Sequence, residues 1–125
     1  MAQTILLVED YDDSREYLRI WLEALGFQVV EAINGREAIQ FARQIYPDLI
    51  LMDICMPVLD GISATVSIRK LEKGKNVPVI AISADRKWYH EEALQAGCNE
   101  VVDKPIDHAN LEIMINRYLP ASIGL

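Results

Sequence analysis

Residues 47–53 run Pro47, Asp48, Leu49, Ile50, Leu51, Met52, Asp53, four consecutive large apolar side chains closed by a carboxylate. Such a run is too short for a helix and too uniform for a half-exposed strand. It reads as a strand buried on both faces, the habit of parallel sheets covered by helices. Asp53 then stands at the carboxyl end of that strand, where open α/β sheets carry their ligand sites.

Similar apolar runs recur outward from this one, at residues 5–8, 29–30 with Ala32, 79–82 and 101–102. Between them the apolar period becomes helical. Leu18, Trp21, Leu22 and Leu25 share one helix face, with Asp12 or Asp13 expected as N-cap and Gly26 as stop. Ala38, Phe41, Ala42 and Ile45 repeat the spacing behind Asn34, with Glu37 completing a capping box and Pro47 beyond the end. Residues 62–71 and 88–96 predict two further helices, and Leu111, Met114, Ile115 and Tyr118 a last one opened by Asp107. Five strands alternating with five helices predict a doubly wound α/β sheet.

With 125 residues, 51% of them hydrophobic and 25% charged, the chain is expected to form one globular domain over 1–125, its core at about 3–119 and a short tail at 120–125. Twelve basic residues against 19 acidic ones leave a net charge of -7, which disfavours nucleic-acid backbones and anionic lipid as partners. Cys55 and Cys98 match no metal or disulfide spacing and read as free thiols. The opening MAQTILLVED has no basic leader and only a short apolar run, so neither a signal peptide nor a membrane anchor is expected, and the protein reads as cytoplasmic.

Polar residues stand at the ends of four runs: Glu9 and Asp10 after the first, Asp53 after the third, Ser83 after the fourth, Lys104 after the fifth. Carboxylates crowded together repel by about 4 kcal/mol per pair at ~4 Å and an effective dielectric near 20, so a cation is expected among them. An all-oxygen donor set points to Mg²⁺, with Mn²⁺ able to substitute, held by Asp10, Asp53 and one backbone carbonyl. A carboxylate beside such an ion can attack phosphorus and form an acyl phosphate, with the Lys104 ammonium balancing charge on the phosphoryl oxygens. The Ser83 hydroxyl would reach a phosphoryl oxygen only in the modified state, which would make that contact a switch. Asp12 and Asp13 read as helix caps and not as ligands.

Five motifs stand in order: Val8-Glu9-Asp10, the stretch from Pro47 to Asp53, Met56-Pro57 with Asp60-Gly61, Ile82-Ser83-Ala84, and Asp103-Lys104-Pro105. Through them the chain resembles the receiver domain of two-component response regulators over nearly its whole length. The resemblance implies a flavodoxin-like strand order 2-1-3-4-5 and phosphoryl transfer to Asp53 from a histidine kinase or a histidine phosphotransfer protein. It implies that Glu9 and Asp10 organise the Mg²⁺, with the carbonyl of Cys55 as a third protein ligand, and that Ser83 and Lys104 hold the phosphoryl group. It also implies a cis Lys104–Pro105 bond and an output face on the fourth helix, fifth strand and fifth helix, where Trp88 and Tyr89 are candidate contacts for a separate effector.

Two features depart from the family pattern or vary within it. Val101 occupies a position, three residues before the lysine, where an aromatic rotor is common, so the switch is expected to rest on the segment after Ser83. Cys55 and Asp85 occupy variable positions expected to tune phosphoryl lifetime. His90 and His108 have no ligand partners at useful spacing and read as surface residues.

No linker to a DNA-binding or catalytic module is apparent, so the expected role is a signalling switch and not an enzyme. The alternative is an aspartyl-phosphate phosphohydrolase, whose general acid two residues after the nucleophile would fall on Cys55. A receiver that works without phosphorylation is disfavoured because every residue of the phosphorylation site is present. A flavin phosphate loop would need glycine, serine and threonine where residues 9–13 are mostly acidic and would repel it.

Overall fold

Parallel strands covered on both sides must be largely apolar, and the three central strands of this chain meet that demand with a parity rule. The computed structural model describes residues 2–54, 60–84 and 87–120, the side chains of 87–89 excepted. Its elements are β1 (Thr4–Val8), α1 (Asp12–Ala24), β2 (Gln28–Ala32), α2 (Gly35–Ile45), β3 (Leu49–Asp53), α3 (Gly61–Arg69), β4 (Val79–Ser83), α4 (Lys87–Ala96), β5 (Glu100–Asp103) and α5 (His108–Tyr118). The strands form one parallel sheet in the order 2-1-3-4-5, as the resemblance implied.

Leu6, Val8, Ile50, Met52, Val79 and Ala81 point to one face, where Ala38, Ala42, Ala64, Ile68 and Ala93 of α2, α3 and α4 meet them. Ile5, Leu7, Leu49, Leu51, Ile80 and Ile82 point to the other, against Leu18, Leu22, Leu111 and Ile115 of α1 and α5. The face carrying three helices is lined largely by alanine, which lets helix backbones come close. The face carrying two is filled by leucine and isoleucine.

Local chemistry sets the helix ends. Asn34 accepts the Glu37 N–H at 2.8 Å, while Glu37 reaches back to the Ile33 N–H at 3.0 Å, so the expected capping box forms with its return bond one residue earlier. Asp107 caps α5 through the Asn110 N–H. Gly26, at φ +100°, stops α1 as expected. The cap of α1 does not match the reading above: Tyr11 is the N-cap and offers no side-chain bond. Asp12 and Asp13 sit inside the first turn, facing the positive end of the helix dipole, and Asp12 pairs with Arg15 at 2.6 Å. The third helix is shorter than expected, ending at Arg69, and a 3₁₀ turn follows at Glu72–Gly74.

Asp48 ties the amino ends of two strands together. Its carboxylate accepts the Thr4 N–H at 2.7 Å and its own N–H donates to the Thr4 carbonyl at 2.8 Å, which sets Ile5 opposite Leu49. Among the described residues no helix is long and apolar enough to cross a membrane.

The start of α3 lies directly against the end of β3. Asp60 caps that helix by accepting from the Ser63 N–H at 2.8 Å, and a Cβ built on Gly61 would strike the Asp53 carbonyl oxygen and lie 2.6 Å from Ile54 Cα. Backbone cannot yield as a flexible side chain does. Gly61→Ala is therefore expected to cost about 1–3 kcal/mol through overpacking, read as a lower urea midpoint at unchanged m-value. Wild-type stability in this variant would show that α3 can move off the strand end.

Candidate functional site

The carboxyl ends of β1, β3, β4 and β5 are levelled by backbone hydrogen bonds. Ile54 donates to the Ile82 carbonyl at 3.1 Å, Lys104 to the Ser83 carbonyl at 2.8 Å, and Glu9 to the Ala32 carbonyl of β2 at 3.0 Å. Val8 pairs with Met52, so the next residues, Glu9 and Asp53, lie side by side. Both are buried, each 2% exposed, whereas Asp10 is exposed. One carboxylate oxygen from each of Glu9, Asp10 and Asp53 lies within 4.8 Å of the others. Lys104 Nζ stands 3.5 Å from Asp53 and 3.7 Å from Glu9, and its side chain is 36% exposed, which leaves the site open on that side.

Two buried acids in contact cannot both carry full charge cheaply. Glu9 is pushed up to about 8, first by burial, then by its hydrogen bond to Asp53 and by the charge of Asp53. Lys104 and the Tyr11 N–H, 3.3 Å from the Glu9 carboxylate, pull the other way and do not offset these. Burial and the neighbouring carboxylate thus favour the protonated form of Glu9 at neutral pH. A set of three oxygen donors with a lysine at its edge can accept a hard divalent cation and can offer a carboxylate oxygen to an electrophile.

Glu9, Asp10, Asp53 and Lys104 are thus brought together. Ser83 is fully buried at the end of β4, one residue beyond Ile82, the partner of Asp53. Val101 is half-buried in β5, opposite Ala81, and packs against the alanine-lined side of the core. The Lys104–Pro105 peptide is cis. Cys55, Asp85 and the side chains of Trp88 and Tyr89 lie outside the described residues, as does most of the tail.

His108, expected from its spacing to be a surface residue, is half-buried. Its ring is edge-on to Trp21 at 4.9 Å and to Tyr17 at 5.3 Å, and its Nε2 is buried with no hydrogen-bond partner among the described residues. The start of α5 folds back over α1, a contact between segments far apart in sequence. His90 pairs with Asp103 at 2.7 Å, linking α4 to β5. Arg15 escaped the sequence reading, although its guanidinium donates to the Glu9 carbonyl at 3.0 Å. A basic residue one helical turn past an acidic loop was the available signal.

A family model for the response regulator receiver domain matches residues 5–116. The chain is 34% identical over 120 residues to the polar-differentiation response regulator DivK of Brucella ovis, covering 95% of this chain and 98% of that protein. Among solved structures it is similar to the receiver domain of a sensor histidine kinase from Pseudomonas aeruginosa, which has a magnesium ion coordinated in its active-site cleft. The two share 38% identity at a TM-score of 0.90, over 97% of this chain and 100% of the other. It is similar, too, to the receiver domain of a Saccharomyces cerevisiae response regulator crystallised with a histidine phosphotransfer protein. There the identity is 29% and the TM-score 0.85, over 94% and 88% of the two chains.

The buried proton on Glu9 makes stability depend on pH in a defined direction. A carboxyl group raised from 4.5 to about 8 in the folded protein binds more protons there than in the unfolded chain between those values. Its contribution is fully present below 4.5 and is lost as pH rises through about 8. In chelator, the melting temperature is expected to fall by about 5 °C or more from pH 5.5 to 8.5, and Glu9→Gln is expected to flatten that slope. Equal slopes in the two proteins would reject the proton held on Glu9.

Proposed function

The chain belongs to the response regulator receiver domain family, and from that premise we propose that it is a phosphoacceptor switch in which Asp53 is the acceptor. The family is a signalling family. The finer reading is that Asp53 takes its phosphoryl group from a histidine kinase or a histidine phosphotransfer protein in the cytoplasm, and that a separate effector reads the result by protein contact. The observation that carries it is the buried Asp53 carboxylate with two acids within 4.8 Å and an ammonium 3.5 Å away. The yeast receiver crystallised with a phosphotransfer protein supports the class of donor.

In the reaction proposed, a carboxylate oxygen of Asp53 attacks the phosphorus of a phosphohistidine. The new O–P bond forms as the N–P bond breaks, and the leaving imidazole takes its proton from solvent. Lys104 balances the negative charge on the phosphoryl oxygens, and the Ser83 hydroxyl donates to one of them once the group has arrived. The all-oxygen donor set fits Mg²⁺, with Mn²⁺ as a substitute, and the magnesium ion in the related Pseudomonas receiver supports that assignment. Asp10, Asp53 and the backbone carbonyl of Cys55 would hold the ion, Glu9 would back them, and the ion would neutralise charge on the transferring group. Only self-phosphorylation and self-dephosphorylation are expected as chemistry. Val101 has no aromatic ring to swing, so the change is carried by Ser83 and the segment after it.

Incubation with acetyl phosphate and Mg²⁺ is expected to add the mass of one phosphoryl group to the wild type and none to Asp53→Ala. Lys104→Met is expected to slow the gain by roughly 10²-fold. A mass gain that survives Asp53→Ala would reject the assignment of the acceptor. In the same samples, amide resonances at Ser83 and Ala84 should shift on phosphorylation, and identical spectra there would reject the route through Ser83.

A further inference from the structure

Asp10 is the exposed member of the acidic cluster, and among the described residues its carboxylate makes no hydrogen bond or ion pair. Its direction therefore depends on the backbone at Glu9, and both polar groups of that backbone are held. The Glu9 N–H donates to the Ala32 carbonyl of β2 at 3.0 Å, while the Glu9 carbonyl accepts from Arg15 Nη1 at 3.0 Å. The same guanidinium uses its remaining nitrogens elsewhere: Nη2 pairs with Asp12 at 2.6 Å, and Nε lies 3.3 Å from Glu31 on β2. Its side chain is only 15% exposed. One planar fork thus joins the acidic loop, the first turn of α1 and the neighbouring strand, and an ammonium could not satisfy three such directions together.

We propose that Arg15 is a positioning residue for the cation site, holding the Glu9–Asp10 peptide so that the Asp10 carboxylate faces Asp53. This rests on the reading of the acidic cluster as a Mg²⁺ site. The sign of the effect separates it from simple electrostatics. A guanidinium acting only as a nearby charge repels a cation, and its removal would tighten metal binding. A guanidinium that aims a ligand makes its removal weaken binding.

The test is calorimetric titration of Mg²⁺ into metal-free wild type, Arg15→Met, Arg15→Lys and Arg19→Met, with unfolding midpoints measured in parallel. Arg15→Met keeps the aliphatic stem and loses the fork. Arg19→Met removes a neighbour that lies 3.6 Å from the same Glu31 but has no bond to Glu9. The expected result is Mg²⁺ affinity weakened on the order of tenfold in Arg15→Met, partly recovered in Arg15→Lys, and unchanged in Arg19→Met. With acetyl phosphate, the Arg15→Met rate should need more Mg²⁺ to saturate while its plateau stays near that of wild type. Equal or tighter Mg²⁺ binding by Arg15→Met, with the wild type binding normally, overturns the role given to Arg15. A wild type that binds no Mg²⁺ overturns the cation-site reading itself, and this inference with it.

Discussion

The register of β1 against β3 is the constraint from which the rest follows. Asp48 and Thr4 exchange two hydrogen bonds at the amino ends of these strands, so Val8 comes opposite Met52 and the next residues, Glu9 and Asp53, emerge together. In a sheet exposed on one face, a slip by one residue would put the apolar set in water. Here both faces are buried, and the penalty takes another form. A slip would exchange the side chains that face α2, α3 and α4 with those that face α1 and α5, and each set is packed against its own helices. Packing on two sides thus holds in place a pair of acids that electrostatics alone would separate.

That enforced contact shapes the electrostatics of the site. Neither Glu9 nor Asp53 has enough exposure to hydrate a full charge, and Lys104 supplies one positive charge from the rim. A proton on Glu9 lowers the negative charge that these acids would otherwise crowd together. Such a site has capacity in reserve: a cation can displace the proton, and added negative charge on Asp53 meets an ammonium already in place. The proposed chemistry and this resting balance come from the same crowding.

The segments around the site are held by close backbone approach and by side chains that reach across elements. Gly61 lets α3 start directly beneath the end of β3, and Arg15 closes the other side by holding the Glu9 carbonyl. On the opposite flank, the cis peptide at Pro105 follows Lys104, and α5 returns to cover α1 through the His108, Trp21 and Tyr17 rings.

Much of this was legible in the chain because its causes are local. Uniform apolar runs announced buried strands, helical spacing with Asn34 and Asp107 announced two helix starts, and polar residues at four strand ends announced the site. Strand ends project from the sheet in a common direction, so sequence alone determined which side chains would share one edge. Tertiary structure decided what depends on distances across the fold: the raised proton affinity of Glu9, the half-burial of His108 against α1, the grip of Arg15 on the Glu9 carbonyl, and Tyr11 in place of Asp12 as the cap of α1. Periodicity records the direction in which a side chain points, whereas charge balance and desolvation depend on which neighbour arrives from a segment far along the chain.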